Sequence, residues 1–592
     1  MRQHILATAL AAAVTALAYG QNLNPTVEVT NAYEGGASSI VKPAQRMAVP
    51  DSVMKFNLDF DYSVFEKPYQ GAYEFKPYYV QLKPAPKVST EDRFYLRAGA
   101  GFTLHPELDL VWTPVRKENF QMNVYATHRS YFGRYHRIGQ EETDENLFTL
   151  APTGEKMKGY LTDTKAGVDA AYGWTGGVAT LDVAYRHRMA EDDYLFRRMN
   201  GVEASGRVRS LPSDVPHFLY DIALDYHYLS GDHAQMTYLG EPAQVMSAYG
   251  ESWFKLDGTV GPVLDADSRV LVDLDMQLAR YRGDYAGYTG NLSATPKYIF
   301  SLDSWGFSLG ARVSSIIYSE DYSVWPEEYR RKGIHVFPDV HVDYHLIDDR
   351  LVLQAAATGS DRFSTVSGRF EASPFSCRND FGHSVEWVRA MIGARGNVSA
   401  RFRYDFQGGY ARMGHAPADG YRFFPEVPKS STGVERPASW RPAQYEQSYN
   451  LLFAELDYGW KSDFLTVDGK LAYRWTNIKG KTDLGGAFAP AAFTGFIRPA
   501  FNWGDRFRAG IDVEWSTARK ITNILTTSSV EPLELVYKVP GWVDLGLFAE
   551  YRFSHNLGFW AKGGNLLNQV IQRIPVHAEA GMYFTAGILL NF

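Results

Sequence analysis

Phe507-Arg508-Ala509-Gly510-Ile511-Asp512-Val513-Glu514-Trp515-Ser516 is the stretch that decides the fold. Phe507, Ala509, Ile511, Val513 and Trp515 fall on one side of an extended chain. Arg508, Gly510, Asp512, Glu514 and Ser516 fall on the other, because successive strand side chains point to opposite faces. A helix would scatter the same residues around its circumference. The pattern recurs upstream and downstream. Val543, Leu545, Leu547, Ala549, Tyr551 and Phe553 alternate with Asp544, Gly546, Glu550 and Arg552. Leu465, Val467, Gly469, Leu471, Tyr473 and Trp475 alternate with Asp468, Lys470 and Arg474. Val270, Val272, Leu274, Met276 and Leu278 form a further example.

Period two suits a soluble sandwich as well as a membrane barrel, and three features separate them. The segments run to roughly 9–13 residues, the length a tilted membrane strand needs, against about 5–6 in soluble sheets. Trp112, Trp174, Trp460, Trp475, Trp503, Trp515 and Trp542 gather near segment ends, as interfacial aromatic girdles do. Connections alternate in length. Tight ones fall near Thr175–Gly177, Asp265–Ser268, Leu302–Ser304, Leu346–Asp349, Lys461–Ser462, Gly504–Asp505 and Ser554–His555. Long ones include Tyr131–Thr162, Gly231–Glu251, Glu320–Gly333, Ser360–His383, Gly414–Gln447 and Thr517–Val539. Short turns on one side and long loops on the other mark a transmembrane barrel. Counting back from Phe592 predicts an all-β fold: one large antiparallel transmembrane β-barrel of about 22 strands, spanning residues 93–592. Arg389–Met413 divides in more than one way.

Composition agrees. Of 592 residues, 15% are aromatic and 21% charged, with a single Cys and a formal charge of −7. That excludes a disordered chain and a disulfide scaffold, and it gives no case for nucleic-acid binding. Mean hydropathy is −0.29, and outside the N-terminus no run of about 20 apolar residues offers a membrane helix.

The N-terminus reads as an export signal over residues 1–20. Arg2 and His4 form a basic end, Ile5 to Ala18 is apolar, and Ala16-Leu17-Ala18 is a small-x-small cleavage site. Residues 21–92 then form a short periplasmic extension rich in Pro and aromatics. It holds Pro25, Pro43, Pro50, Pro68, Pro77, Pro84 and Pro86 among Phe56, Phe60, Tyr62, Phe65, Tyr69, Tyr73, Phe75, Tyr78 and Tyr79. Pro at this density prevents a regular helix. Burying each ring is worth about 1.5–3 kcal/mol, so the extension is expected to lie against the barrel or a partner.

The last strand carries its own signal. Phe592 ends the chain, and Leu590, Ile588, Ala586, Phe584 and Met582 precede it at period two. This resembles the C-terminal sorting signal read by the barrel-assembly machinery, with Phe584, Ile588, Leu590 and Phe592 as its contact residues. Gly564-Asn565-Leu566-Leu567-Asn568-Gln569, followed by Gly581-Met582-Tyr583-Phe584-Thr585-Ala586-Gly587, resembles the end of a TonB-dependent receptor barrel. Leu96-Arg97-Ala98-Gly99-Ala100-Gly101-Phe102 is similar to barrel openings in that family. The resemblance covers Arg93 to Phe592. It implies an outer-membrane barrel serving uptake of a solute. Two departures stand beside it. Gln21 to Asp92 is about half the length of the family's plug domain. Val27-Glu28-Val29-Thr30 is the nearest match to a TonB-box.

Chemistry-bearing patterns are few. Gly-x-Ser-x-Gly, His-Glu-x-x-His, a phosphate-cradling Gly loop and Cys pairs are all missing from the sequence. His128, His136, His187, His217, His227, His335, His341 and His345 fall on separate segments with no local nucleophile. No enzyme, catalytic residue, cofactor or metal site is therefore expected. Glu141-Glu142-Thr143-Asp144-Glu145 and Glu191-Asp192-Asp193 read as solvated faces, with Ca²⁺ as the other reading. Arg474, Arg508, Asp512, Glu514, Asp544, Glu550 and Arg552 are the candidates for facing a wet lumen and setting its selectivity. The expected partners are outer-membrane lipid, the assembly machinery during insertion, and a periplasmic or outer-membrane protein. Two functions stay open: uptake across the outer membrane of a Gram-negative envelope, or a non-transporting structural role in an outer-membrane assembly or secretion complex.

Overall fold

A computed structural model describes residues 93–592, apart from 146, 192–195, 212–217, 232–233, 239–240, 247–248, 284–286, 320–332, 348–349, 373–382, 425–438, 480–489, 505 and 526–532. The expected signal, extension and TonB-box match lie outside the described residues, as do His217 and Cys377.

Twenty-two antiparallel strands close one barrel. They are β1 (Phe94–Phe102), β2 (Glu107–Arg116), β3 (Phe120–Asp144), β4 (Leu147–Trp174), β5 (Gly177–Glu191), β6 (Phe196–Ser210), β7 (Phe218–Gly231) and β8 (Tyr249–Pro262). Next come β9 (Ser268–Gly283), β10 (Gly287–Leu302), β11 (Trp305–Tyr318), β12 (Ile334–Ile347), β13 (Leu351–Phe363), β14 (His383–Ser399) and β15 (Phe402–Phe424). The circuit ends with β16 (Ser439–Lys461), β17 (Leu465–Lys479), β18 (Phe493–Trp503), β19 (Phe507–Ser516), β20 (Trp542–Arg552), β21 (Leu557–Gly564) and β22 (Tyr583–Asn591). Each pairs with the next, and β1 pairs with β22 from Tyr95↔Asn591 to Phe102↔Phe584. Closure leaves no open edge, which a sheet in lipid requires. Phe592 completes the seam: its N–H donates to the Phe94 carbonyl at 2.9 Å, and its own carbonyl accepts from Phe94 N–H at 2.8 Å.

Period two explains which way side chains point. Leu181, Val183 and Tyr185 on β5, Leu224, Tyr226 and Tyr228 on β7, and Val543, Leu547 and Tyr551 on β20 are all exposed on one face. Buried polar groups occupy the other, including Asn123, Asn291, Thr295, Lys297, Asp343 and Asp405. An apolar exterior and a charged interior is the arrangement lipid and a wet lumen select. Small residues let the seam close. A Cβ on Gly99 would lie 2.4 Å from the Trp560 ring and 2.6 Å from the Ala586 carbonyl.

Strand lengths depart from the expected range, running from 8 residues in β21 to 28 in β4. Tyr131–Thr162 is not a loop. Pairing of β3 with β4 continues from Tyr131↔Leu161 to Asp144↔Leu147. The extension persists because it has a core of its own: Ile138 and Leu150 bury with Tyr537, Val539, Ile574, Val576 and Ala578. β15 and β16 likewise stay paired out to Phe424↔Ser439. The ambiguous stretch Arg389–Met413 resolves into β14, a tight turn and β15.

Candidate functional site

At the end of the barrel opposite the tight turns, two loops fold back onto the wall. The first joins β13 to β14 and contains the only described helix, α1 (Val366–Ala372). Thr365 caps it, accepting the Gly368 N–H at 3.0 Å. The next two orphan donors, Val366 N–H and Ser367 N–H, go to Glu251 Oε2 on β8 at 2.9 and 3.3 Å. Glu251 is fully buried and also accepts from the Ser367 hydroxyl, while its Oε1 lies 2.6 Å from His227 Nε2 on β7. A carboxylate at a helix N-terminus is favoured by the unsatisfied donors there.

Phe370 sits one turn from Val366 and buries against Met199 of β6 and Leu229 of β7. Arg197 lies 4.5 Å from its ring centroid. Glu371 pairs with Arg186 at 2.6 Å and Arg188 at 3.6 Å, both on β5. These partners occupy lumen-facing positions: each alternates with the exposed apolar residues of its strand. α1 therefore crosses from β13 to the inner wall of β5–β8.

Ser367, His227 and Glu251 hold the residue types of a hydrolase triad, but not its geometry. Ser367 Oγ and Glu251 both contact His227 Nε2, at 3.3 and 2.6 Å. A relay needs the carboxylate on the other ring nitrogen, so that the second is free to take the serine proton. The contact is a latch.

The second loop joins β21 to β22 and is stapled at its base by the Asn-Leu-Leu-Asn motif. Asn565 is buried with φ 45°, and Asn568 has φ 50°, a region Asn tolerates better than most residues. Asn565 Nδ2 donates to the Gln569 and Ala580 carbonyls at 2.8 and 3.0 Å, and its Oδ1 accepts Gln569 N–H at 3.0 Å. Asn568 Oδ1 accepts Met582 N–H at 3.2 Å. Arg573, from the middle of the loop, reaches three carboxylates: Asp544 at 2.6 Å, Glu514 at 2.9 Å and Glu579 at 3.0 Å. Burial pushes the Glu579 carboxyl up to about 7, against the opposing pull of Arg573. The hairpin Arg519–Leu525/Leu533–Val539 joins the same unit, since Arg519 donates to the Gln572 and Arg573 carbonyls at 3.0 and 2.5 Å.

The lumen candidates divide among five separate contacts. Glu514 and Asp544 meet on Arg573. Arg474 pairs with Glu455 at 2.9 Å, Asp512 with Arg498 at 2.9 Å, and Glu550 with Arg552 at 3.7 Å. Arg508 faces the Phe548 ring at 5.5 Å. No single cluster gathers all seven. Arg573 and α1 lie outside the strands, and Glu251, read from sequence as the end of the loop Gly231–Glu251, belongs to β8; the sequence reading missed all three. The spacing of Val366 and Phe370, four residues apart, was the available signal for α1.

The histidines are mostly dispersed: His335 faces Asp361 at 2.9 Å and His341 faces Asp339 at 3.3 Å. Phe584, Ile588 and Phe592 are exposed on the outer face of the seam, with Leu590 half-buried beside them. Among the described residues no group of three or more His, Cys, Asp or Glu could hold a metal ion. Asp192 and Asp193 of the second acidic run lie outside the described residues.

No family model and no curated protein matches the sequence. Solved structures do match the fold. The FrpB iron transporter from Neisseria meningitidis aligns at TM-score 0.58 and 9% identity, covering 85% of this chain and 82% of that one. The copper transporter OprC gives 0.57 at 12% identity, with 85% and 80% covered. The siderophore receptor PirA from Acinetobacter baumannii gives 0.55 at 10% identity, again with 85% and 80% covered. At these identities the likeness is one of fold, and in fold the chain resembles the 22-strand barrels of the TonB-dependent receptors.

Proposed function

We propose that the chain is an outer-membrane receptor that takes up a solute through its barrel, with the loops between β13 and β14 and between β21 and β22 forming the ligand face. The observation that carries this reading is the inward fold of α1. A loop that crosses the barrel mouth and latches to the opposing inner wall through a buried carboxylate would close a path, and its release would open one for passage. The siderophore, iron and copper cargo of the structural neighbours makes metal chelates the first panel to try. The lumen charges Arg474, Arg508, Asp512, Glu514, Asp544, Glu550 and Arg552 would then set selectivity.

The test is uptake of radiolabelled ferric chelates by cells with and without the chain, joined to single-channel recording of the protein purified in mild detergent. Chain-dependent uptake and discrete openings support the proposal. A stable complex with a stoichiometric partner and no conductance would favour the structural role instead.

A further inference from the structure

We propose that the outer face of the β3–β4 hairpin binds the phosphate groups of outer-leaflet lipid through Arg134, Lys156 and Lys158; this rests on the outer-membrane placement proposed above. Arg134 is directly opposite Lys158, and one step further out His136 is directly opposite Lys156. Directly opposed side chains on one face of a ladder lie about 4.5–5.5 Å apart at Cβ, and like charges there are destabilising. The hairpin nevertheless sets Arg134 against Lys158, and places a third cation, Lys156, opposite His136 in the next pair.

Arg134, Lys156 and Lys158 are all exposed. Among the described residues none of the three has a carboxylate partner. The nearby Glu155 is taken by Arg137 at 2.5 Å. The Tyr160 hydroxyl donates to Met189 Sδ at 3.3 Å, with the Glu191 carboxylate of the neighbouring strand and the cationic Arg198 acting on it. His136 adds to the crowding: its Nδ1 has no hydrogen-bond partner, and burial, then Lys156, holds its basicity below the usual histidine value.

Position identifies the missing counter-charge. The pairs share the face of Phe132 and Tyr160, which are themselves opposed and stack at 5.8 Å between ring centroids. That face carries Val124, Val168 and Tyr172 lower down, the last two exposed, and between them and the ring pair the polar pairs His128–Thr164 and Ser130–Thr162. From Met122 to Phe132 the strand covers the roughly 9–11 residues that cross a hydrocarbon layer. Phe132 and Tyr160 thus form part of the upper aromatic girdle. Arg134, Lys156 and Lys158 stand above it, at headgroup level, and point away from the lumen. Lipid phosphate at this level would separate and neutralise them.

Binding is measured with the full chain folded in zwitterionic micelles, titrated with diphosphorylated lipid A, with the same lipid stripped of phosphate, and with inorganic phosphate. The wild type should bind the phosphorylated lipid alone. R134Q/K156Q/K158Q should bind it roughly 100-fold more weakly, since each basic residue near an anionic surface contributes a several-fold gain. R134K/K156R/K158R should bind as the wild type does. Equal binding of phosphorylated and stripped lipid, equal binding by the triple Gln variant, or competition by inorganic phosphate at the same concentration would each overturn the proposal. Barrel insertion, read by heat-modifiable gel mobility, tests the outer-membrane placement separately. A chain that inserts but ignores phosphate refutes this inference alone, and a chain that never inserts refutes both.

Discussion

Phe370→Ala removes the apolar anchor of α1 while leaving its polar latch in place. Phe370 is 1% exposed, enclosed by Met199, Leu229 and the Arg197 guanidinium. Truncating a buried Phe costs about 3–5 kcal/mol, and here the whole cost falls on docking of the loop. At about 1.4 kcal/mol per tenfold, the ratio of docked to released loop should fall roughly 100- to 5,000-fold. A helix of 7 residues does not persist by itself, so its amide protection reports docking. Hydrogen exchange of peptides covering 364–372 is the assay. The Ala variant should lose at least about 100-fold of protection there, while the β1–β22 seam is unchanged. Single-channel recording should show longer or more frequent openings. Exchange that stays at the wild-type rate would refute the reasoning, because it would mean that Glu251 alone, or something outside the described residues, holds the loop.

Three further outcomes are expected. Glu579 titrates near 7 in the folded loop, above its ordinary value of 4.5. The folded state therefore binds the extra proton between those values, and docking of the β21–β22 loop weakens as pH rises through that window, levelling off above it. Glu579→Gln should flatten this profile in hydrogen exchange of residues 565–582, after correction for intrinsic exchange; an unchanged slope would rule the group out. Deleting Phe592 should lower the amount of heat-modifiable barrel in the outer membrane several-fold, yet refolding in detergent should be affected less; equal loss in both would make Phe592 a seam residue and not a sorting signal. Deleting residues 22–85 behind an intact signal should leave a barrel that inserts but leaks large solutes or loses a partner, and unchanged permeability and co-purification would make the extension a passive tail.

The barrel was legible because its physics is repetitive. Every spanning strand must alternate, as Phe507–Ser516 does, and every tight turn must interrupt the alternation, so strand number follows from counting. The loops were not legible for the converse reason. Ile138 and Leu150 bury only because Ile574 and Val576 arrive from more than four hundred residues away, and no local pattern encodes that meeting. Arg573 reads as an ordinary loop cation until Glu514, Asp544 and Glu579 converge on it. The Asn565 motif was visible as a family resemblance. Its physical work, two side chains closing a loop with four hydrogen bonds, shows only in three dimensions.

Uptake through a gated barrel is tested most directly by single-channel recording of the full chain in planar bilayers, beside Phe370→Ala and with candidate chelates added to one side. The account predicts a protein that purifies without a stoichiometric partner, stays mostly closed, and opens more often when α1 is released or a cognate ligand is present. A wild type and variant that are both silent, in a protein that always co-purifies with a partner, would contradict it.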